Sequence, residues 1–203
     1  MSPDRDGVKI ILQTERCYLR EITPDDIPAE VELYNSGPHM TDFIEELYEP
    51  EKERRYQEIY IEKIYGRYGY GMWAVFDRKT ERLIGEAGLE HRSDIDREEY
   101  PFDWMFEEDC AELGFCFAED LWGQGYCTEV CRAVVDYCRN NFGINRVFAR
   151  TDERNIASCR VLEKLGFEKC GRIPANGQIC WTFVGQQGVR CEKQPGGSEE
   201  NKV

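Results

Sequence analysis

Two short motifs carry residues whose types and spacing point to chemistry. In Asp120-Leu121-Trp122-Gly123-Gln124-Gly125-Tyr126-Cys127-Thr128-Glu129, two glycines sit where an apolar run turns into a helical pattern. A loop of that kind aims several backbone N–H groups at one point, at the positive end of a helix dipole. A phosphate fits there, because glycine at 123 and 125 lets it approach the backbone. A tight connection that binds nothing has the same composition. Lys-Ser/Thr does not follow the second glycine, and no third glycine stands at the dinucleotide spacing, so this is neither a P-loop nor a Rossmann fingerprint. The second motif is Asn155-Ile156-Ala157-Ser158-Cys159-Arg160-Val161-Leu162-Glu163-Lys164-Leu165-Gly166-Phe167. Asn155 suits a helix N-cap. Gly166 suits the left-handed residue past a helix end, with Phe167 folding back onto Leu162.

The elements that must position these motifs follow from the flanking patterns. Leu113-Gly114-Phe115-Cys116-Phe117-Ala118 has the length and aromatic content of a buried strand. After the glycines, Val130, Val134, Tyr137 and Cys138 recur at helical spacing, with Glu129, Arg132, Asp136 and Arg139 opposite. Arg146 to Thr151 reads as a second strand. The order is strand, W-G-Q-G-Y, helix, strand, N-x-x-S, helix, L-G-F.

That order resembles the GCN5-related N-acetyltransferase (GNAT) superfamily, and within it the RimJ/RimL-type branch, from about Thr14 to about Val184. The resemblance implies one domain over residues 1–203, of α/β (α+β) class. Its sheet would be mixed and mostly antiparallel, of about six or seven strands, with helices on both faces. It implies an acetyl-CoA-dependent N-acetyltransferase acting on a primary amine, either a protein N-terminus or a small molecule. The alternative is a non-catalytic acyl-CoA-binding module of the same fold. In the enzyme, Phe115, Cys116 and Phe117 would pair with the pantetheine arm, and an N–H near Cys116 or Phe117 would bind the acetyl oxygen. Trp122, Gly123, Gln124, Gly125, Tyr126, Cys127 and Thr128 would hold the pyrophosphate. Asn155 and Ser158 would meet the pantetheine.

An amine arrives as ammonium, and a carboxylate can take its proton. Glu112, which opens the central strand, is the first candidate, with Glu86 and Glu90 as alternatives. A structural ion pair is the competing role for Glu112. Two departures from the family stand out. The position of a thiolate-protonating tyrosine holds Leu162, which leaves that task to Ser158 or water, or lets the thiolate depart unprotonated. The position three before Gly123 holds Asp120, an unfavourable neighbour for a pyrophosphate unless it points away.

Composition narrows the rest. The 203 residues are 41% hydrophobic and 33% charged, with a net charge of −14. That charge disfavours nucleic acid as a partner and favours a cationic acceptor. No run is long enough to span a bilayer, and no secretory signal opens the chain. There are ten cysteines and two histidines without a Cys-x-x-Cys pair, which argues against zinc and for a reduced, cytoplasmic setting. A monomer or a homodimer is expected, with residues 1–8 and 192–203 disordered.

Along the rest of the chain, Thr14 to Ile22 reads as a first strand, and a helix runs from near Pro28 to Asn35. Pro50 to Arg67 reads as a second helix, with Tyr56, Tyr60 and Ile64 on one face. Trp73–Phe76 and Leu83–Leu89 form a hairpin. His91 to Asp109 is a long connection, expected to be a substrate-side flap or a dimer contact. The last strands are Phe167–Arg172 and Gln178–Val184.

Overall fold

The computed structural model describes residues 4–5, 8–35, 37–40, 42–43, 50–92, 103–175 and 178–185. Among these residues, nine strands form one sheet in the order β1-β2-β3-β4-β5-β6-β7-β9-β8. They are β1 Asp4–Arg5, β2 Val8–Gln13, β3 Cys17–Arg20, β4 Met72–Asp77, β5 Leu83–Glu90, β6 Cys110–Phe117, β7 Arg146–Asp152, β8 Phe167–Ala175 and β9 Gln178–Gly185. The helices are α1 Ile27–Asn35, α2 Pro50–Tyr60, α3 Gly66–Tyr68, α4 Tyr126–Phe142 and α5 Ile156–Lys164. The expected fold is present, with more strands than the pattern gave. The first segment is two strands that fold back at Thr14, whose N–H donates to Cys17 O at 2.8 Å. Asp4–Arg5, expected to be disordered, pairs with Val8 and Lys9. The tail 192–203 and most of the expected flap, 93–102, lie outside the described residues.

Alternation along β4 shows how the sheet is covered. Trp73 and Val75 join a core with Val130 and Val134 of α4, while Ala74 and Phe76 join Leu33 and Tyr34 of α1. Both faces are buried, so the strand reads as a continuous apolar run rather than an alternating one. Trp73, Phe148 and Leu89 are fully enclosed. Burying a side chain of that size contributes about 1.5–3 kcal/mol.

A π-helical turn, Ile61–Tyr65, links α2 to α3. It brings Tyr60 and Tyr65, five residues apart, onto the same buried face, with ring centroids 5.4 Å apart at 85°. Ile64, which a regular helix would place below Tyr60, is only partly buried. The side chain of Tyr56 lies outside the described residues. Among the described residues, eight cysteines carry free thiols. Cys170 is disulfide-bonded, a crosslink that composition did not point to.

One irregularity dominates the sheet. β6 and β7 run parallel and pair only at Cys110↔Arg146, Ala111↔Val147 and Glu112↔Phe148. Beyond Glu112 the two strands part. β6 stays registered with β5 on its other side as far as Phe117. The parting leaves a wedge-shaped gap in the middle of the sheet, with α4 and α5 starting at its mouth.

Candidate active site

The half of the groove expected to take the donor is built from backbone. Ala118 N–H donates to Ile84 O at 2.9 Å. Backbone direction alternates along a strand, so Cys116 and Gly114 also turn their N–H toward β5. Leu113, Phe115 and Phe117 turn theirs into the gap. Of the two amides considered for the acetyl oxygen, Phe117 therefore faces the gap and Cys116 does not. The Phe117 carbonyl is already engaged, since Trp122 Nε1 donates to it at 2.7 Å.

At the mouth, Gly123 and Gly125 have φ of +73° and +84°, the left-handed region that favours glycine. A Cβ on Gly123 would project into open space. Gly125 caps α4 without a side-chain hydrogen bond, so the helix's first N–H groups have no side chain to satisfy them. The dipole, the donors and the room together suit a phosphate.

The neighbours hold this loop in shape. Arg16 Nη1 donates to Gln124 O at 3.0 Å, its Nε pairs with Glu129 at 2.6 Å, and it lies 3.9 Å over the Tyr126 ring. Tyr126 Oη donates to Asp77 Oδ2 at 3.2 Å. Gln124 Nε2 donates to Asp120 O at 2.7 Å. Asp120 itself points to Arg82, at 2.7 and 3.3 Å, and its carboxyl is held below the usual range by that hydrogen bond. The carboxylate is thus matched by a cation, which removes the conflict raised by its position in the sequence. Trp122, Gly123, Gly125, Cys127 and Thr128 line the groove, and Gln124 and Tyr126 brace the loop instead.

Asn155 caps α5 as expected, its Oδ1 accepting from Ser158 N at 3.0 Å. That bond uses the carbonyl end of the amide. Asn155 and Ser158 both line the groove. Leu162 is fully buried in the core with Phe167, so no hydroxyl enters the groove from that position.

The half expected to take the acceptor is built from side chains. Glu112 is 6% exposed and sits between two arginines. Arg92 Nε donates to one of its oxygens at 2.7 Å and Arg150 Nε to the other at 3.0 Å. The register places Glu90 directly opposite Glu112. Like charges so placed repel, and Arg92 spans the pair by also reaching Glu90 at 2.8 Å. Tyr60 Oη donates to the other Glu90 oxygen at 2.8 Å. Burial pushes the Glu112 carboxyl above its ordinary value, and the Arg92 charge opposes that rise.

Four positions further along the two strands, Glu86 faces Cys116, and Tyr34 Oη donates to Glu86 at 3.0 Å. Burial pushes the Cys116 thiol up to about 12, so it stays protonated at neutral pH. Tyr34, Met40, Phe43 and Met72 complete this end of a groove of about 650 Å³. Phe115, Cys116 and Phe117 form its floor together with Glu112.

Arg92, Arg150 and Tyr34 escaped the sequence reading. Arg150 sits in the strand between the two motifs, where an arginine directly after the apolar run Val147-Phe148-Ala149 is the available signal. Arg92 and Tyr34 carried none, since each reaches the groove through strand register or helix docking. Among the described residues, no helix is long and apolar enough to cross a membrane.

Residues 16–168 match the acetyltransferase (GNAT) domain family. The N-acetyltransferase YoaA of Bacillus subtilis (strain 168), itself uncharacterized, is 29% identical over 167 residues, 79% of this chain and 84% of that protein. Among solved structures, the ribosomal L7/L12 alpha-N-protein acetyltransferase RimL superposes with a TM-score of 0.71 at 17% identity, covering 91% of this chain and 98% of its own. A structure of RimL in complex with coenzyme A gives 0.68 at 18% identity over 87% and 97%. At such identities the superpositions speak for the fold alone. The glycine cradle, the orphan amides of α4 and the gap beside β6 fit the pyrophosphate and amide-bearing arm of a coenzyme A thioester, and the family match covers most of the sequence. The chain belongs to the acetyltransferase (GNAT) domain family, whose cosubstrate is acetyl-CoA.

Proposed function

We propose that this protein transfers an acetyl group from acetyl-CoA to a primary amine. The observation that carries the reading is the parting of β6 and β7 beyond Glu112 and Phe148, opposite the glycine-capped start of α4. The motif order favours the RimJ/RimL-type branch. A protein N-terminus and a small cationic amine are the two acceptor classes, and the net charge of −14 suits either as an ammonium.

Acetyl-CoA supplies the activated thioester when bound. The chain's own groups do the rest. Backbone of Phe115 and Phe117 in the gap would align the arm as an added strand would. The Phe117 N–H would donate to the acetyl oxygen and stabilise the charge that develops there. The Asn155 side-chain NH2, left over from capping, would donate to the arm. Glu112 would accept the ammonium proton, its carboxylate fixed by Arg92 and Arg150 at the apex of the gap. Ser158 or a water beside it would return a proton to the departing sulfur. With its thiol held protonated, Cys116 is a poor nucleophile, which favours direct attack by the amine over an acyl-cysteine route.

The test is thiol release from acetyl-CoA against a panel of N-terminal peptides, polyamines and amino sugars, alongside calorimetric binding of coenzyme A. Thiol release dependent on a primary amine is the expected result. Binding without release on any amine would favour the non-catalytic module, for which the buried Leu162 in place of tyrosine is the supporting observation.

A further inference from the structure

Two exposed cations in the groove have no part in this chemistry. Arg160 and Lys164 stand one turn apart on α5 and line the groove with Val161 between them. Nearby carboxylates are already matched elsewhere. Glu163 pairs with Lys169 at 3.6 Å, Glu129 with Arg16 at 2.6 Å, and Asp136 with Arg139 at 3.6 Å. Among the described residues, neither Arg160 nor Lys164 has a carboxylate within ion-pair distance. In a chain of net charge −14, two such cations on one wall of the substrate groove stand apart from their surroundings.

Their place along the groove is set by α5. At about 1.5 Å of rise per residue they lie roughly 8 and 14 Å along the helix from the Asn155 cap. Arg132, in the second turn of α4, donates to the Lys164 carbonyl at 3.1 Å. Lys164 therefore lies alongside α4 beyond the glycine loop, away from Cys116 and the acceptor half. A coenzyme A thioester with its pyrophosphate on that loop carries its 3′-phosphoadenosine further outward. The 3′-phosphate is a monoester and bears roughly 1.5 to 2 negative charges at neutral pH.

We infer that Arg160 and Lys164 hold the 3′-phosphate of the donor nucleotide and make the protein select coenzyme A over its 3′-dephospho form. The inference rests on the acetyl-CoA reading above. Arg16 and Arg82 also lie near the loop, but the Arg16 guanidinium is committed to Glu129, Gln124 and the Tyr126 ring, and Arg82 is paired with Asp120. Arg160 and Lys164 are exposed, so each contact is modest and screened by salt, and the two act together on one dianion.

The experiment is calorimetric titration of the full chain with coenzyme A and with 3′-dephospho-coenzyme A, at low and high salt. The wild type is expected to bind coenzyme A about tenfold more tightly at low salt, with a smaller ratio at high salt. In the Arg160→Ala/Lys164→Ala double variant the ratio should fall to about one, with affinity for the dephospho form unchanged and the same melting temperature. Arg160→Lys should keep most of the preference. Equal wild-type affinities would overturn the inference and leave the acetyl-CoA reading standing. So would a double variant that weakens both ligands alike, which would place the two cations on the pyrophosphate. If neither ligand binds the wild type, the donor-site reading fails and the inference with it.

Discussion

The two halves of the groove are made of different material. The half proposed to bind the donor is backbone: two left-handed glycines, the first amides of α4 and the gap-facing amides of β6. The half proposed to meet the acceptor is side chain: Glu112, Glu90, Arg92, Arg150, Glu86 and Tyr34, drawn from β6, from β5 and the residues just beyond it, from β7 and from α1. A backbone site binds what every donor molecule shares, and its geometry is fixed by local turns. A side-chain site can be altered one residue at a time without disturbing the loop beside it. Selectivity for the acceptor can therefore change while the donor site stays constant, and changes in the two halves should have separable effects.

The sharpest break in that separation is expected at Glu112. Glu112→Gln should lower turnover by about a hundredfold, the usual scale for losing a general base, while coenzyme A affinity is unchanged. The defect should shrink as pH rises, because more of the acceptor is then already neutral. A loss of stability without rescue at high pH would make Glu112 a structural counterion for Arg92 and Arg150. A raised KM that salt relieves would mean simple attraction of the acceptor.

Gly125→Val strikes the other half. A branched residue at φ +84° is strained by roughly 1–3 kcal/mol, and its side chain would grow from a Cβ 3.6 Å from Arg16 Nη2, against the guanidinium that braces the loop. Coenzyme A affinity should fall at least tenfold in a folded protein, and the pH profile of the residual activity should keep its shape. Unchanged affinity by calorimetry would remove the loop from the donor site.

Asn155→Ala should blur the division slightly, since this residue serves both fold and ligand. Losing the cap costs about 1 kcal/mol of stability, and affinity should drop a few-fold as well. A melting shift with an unchanged dissociation constant would leave Asn155 as a cap only.

The smallest effect is expected at Arg82→Ala, which frees Asp120 beside the glycine loop. The pair is about half exposed on both sides, so its contribution to stability is at most about half a kcal/mol. Arg82 holds the Asp120 carboxyl below its ordinary value. The contribution is therefore present above the ordinary carboxylate range and disappears as pH falls through the lowered value. Coenzyme A binding should weaken two- to threefold, more at low salt than at high salt. Insensitivity to salt would show that Asp120 exerts no field on the loop.

The difference between the halves also explains what could be read from the chain. Gly123, Gly125, Asn155 and Gly166 announced themselves because each serves a turn or cap whose requirements are met within a few residues. The strand Leu113–Ala118 was legible for the same reason. The Arg92–Glu112–Arg150 clamp was not. It exists because β5, β6 and β7 register as Glu90↔Glu112 and Glu112↔Phe148, and register is a property of three distant segments at once. The π-helical turn at Ile61–Tyr65 was hidden too. A regular period matched Tyr60 to Ile64, whereas tertiary packing selected Tyr65, whose hydroxyl bonds the Met72 carbonyl at the start of β4. β2 was missed because Thr14 to Ile22 already satisfied the expectation of one opening strand.

The gap between β6 and β7 has a thermodynamic consequence. Without its donor molecule this protein carries an interrupted hydrogen-bond ladder at the centre of its own sheet. A ligand that completes the ladder binds the folded chain and has nothing to bind in the unfolded one. Folding stability therefore rises with ligand concentration, by about 2.7 kcal/mol at a hundred times the dissociation constant. Scarcity of the donor therefore narrows the margin by which the folded chain is favoured.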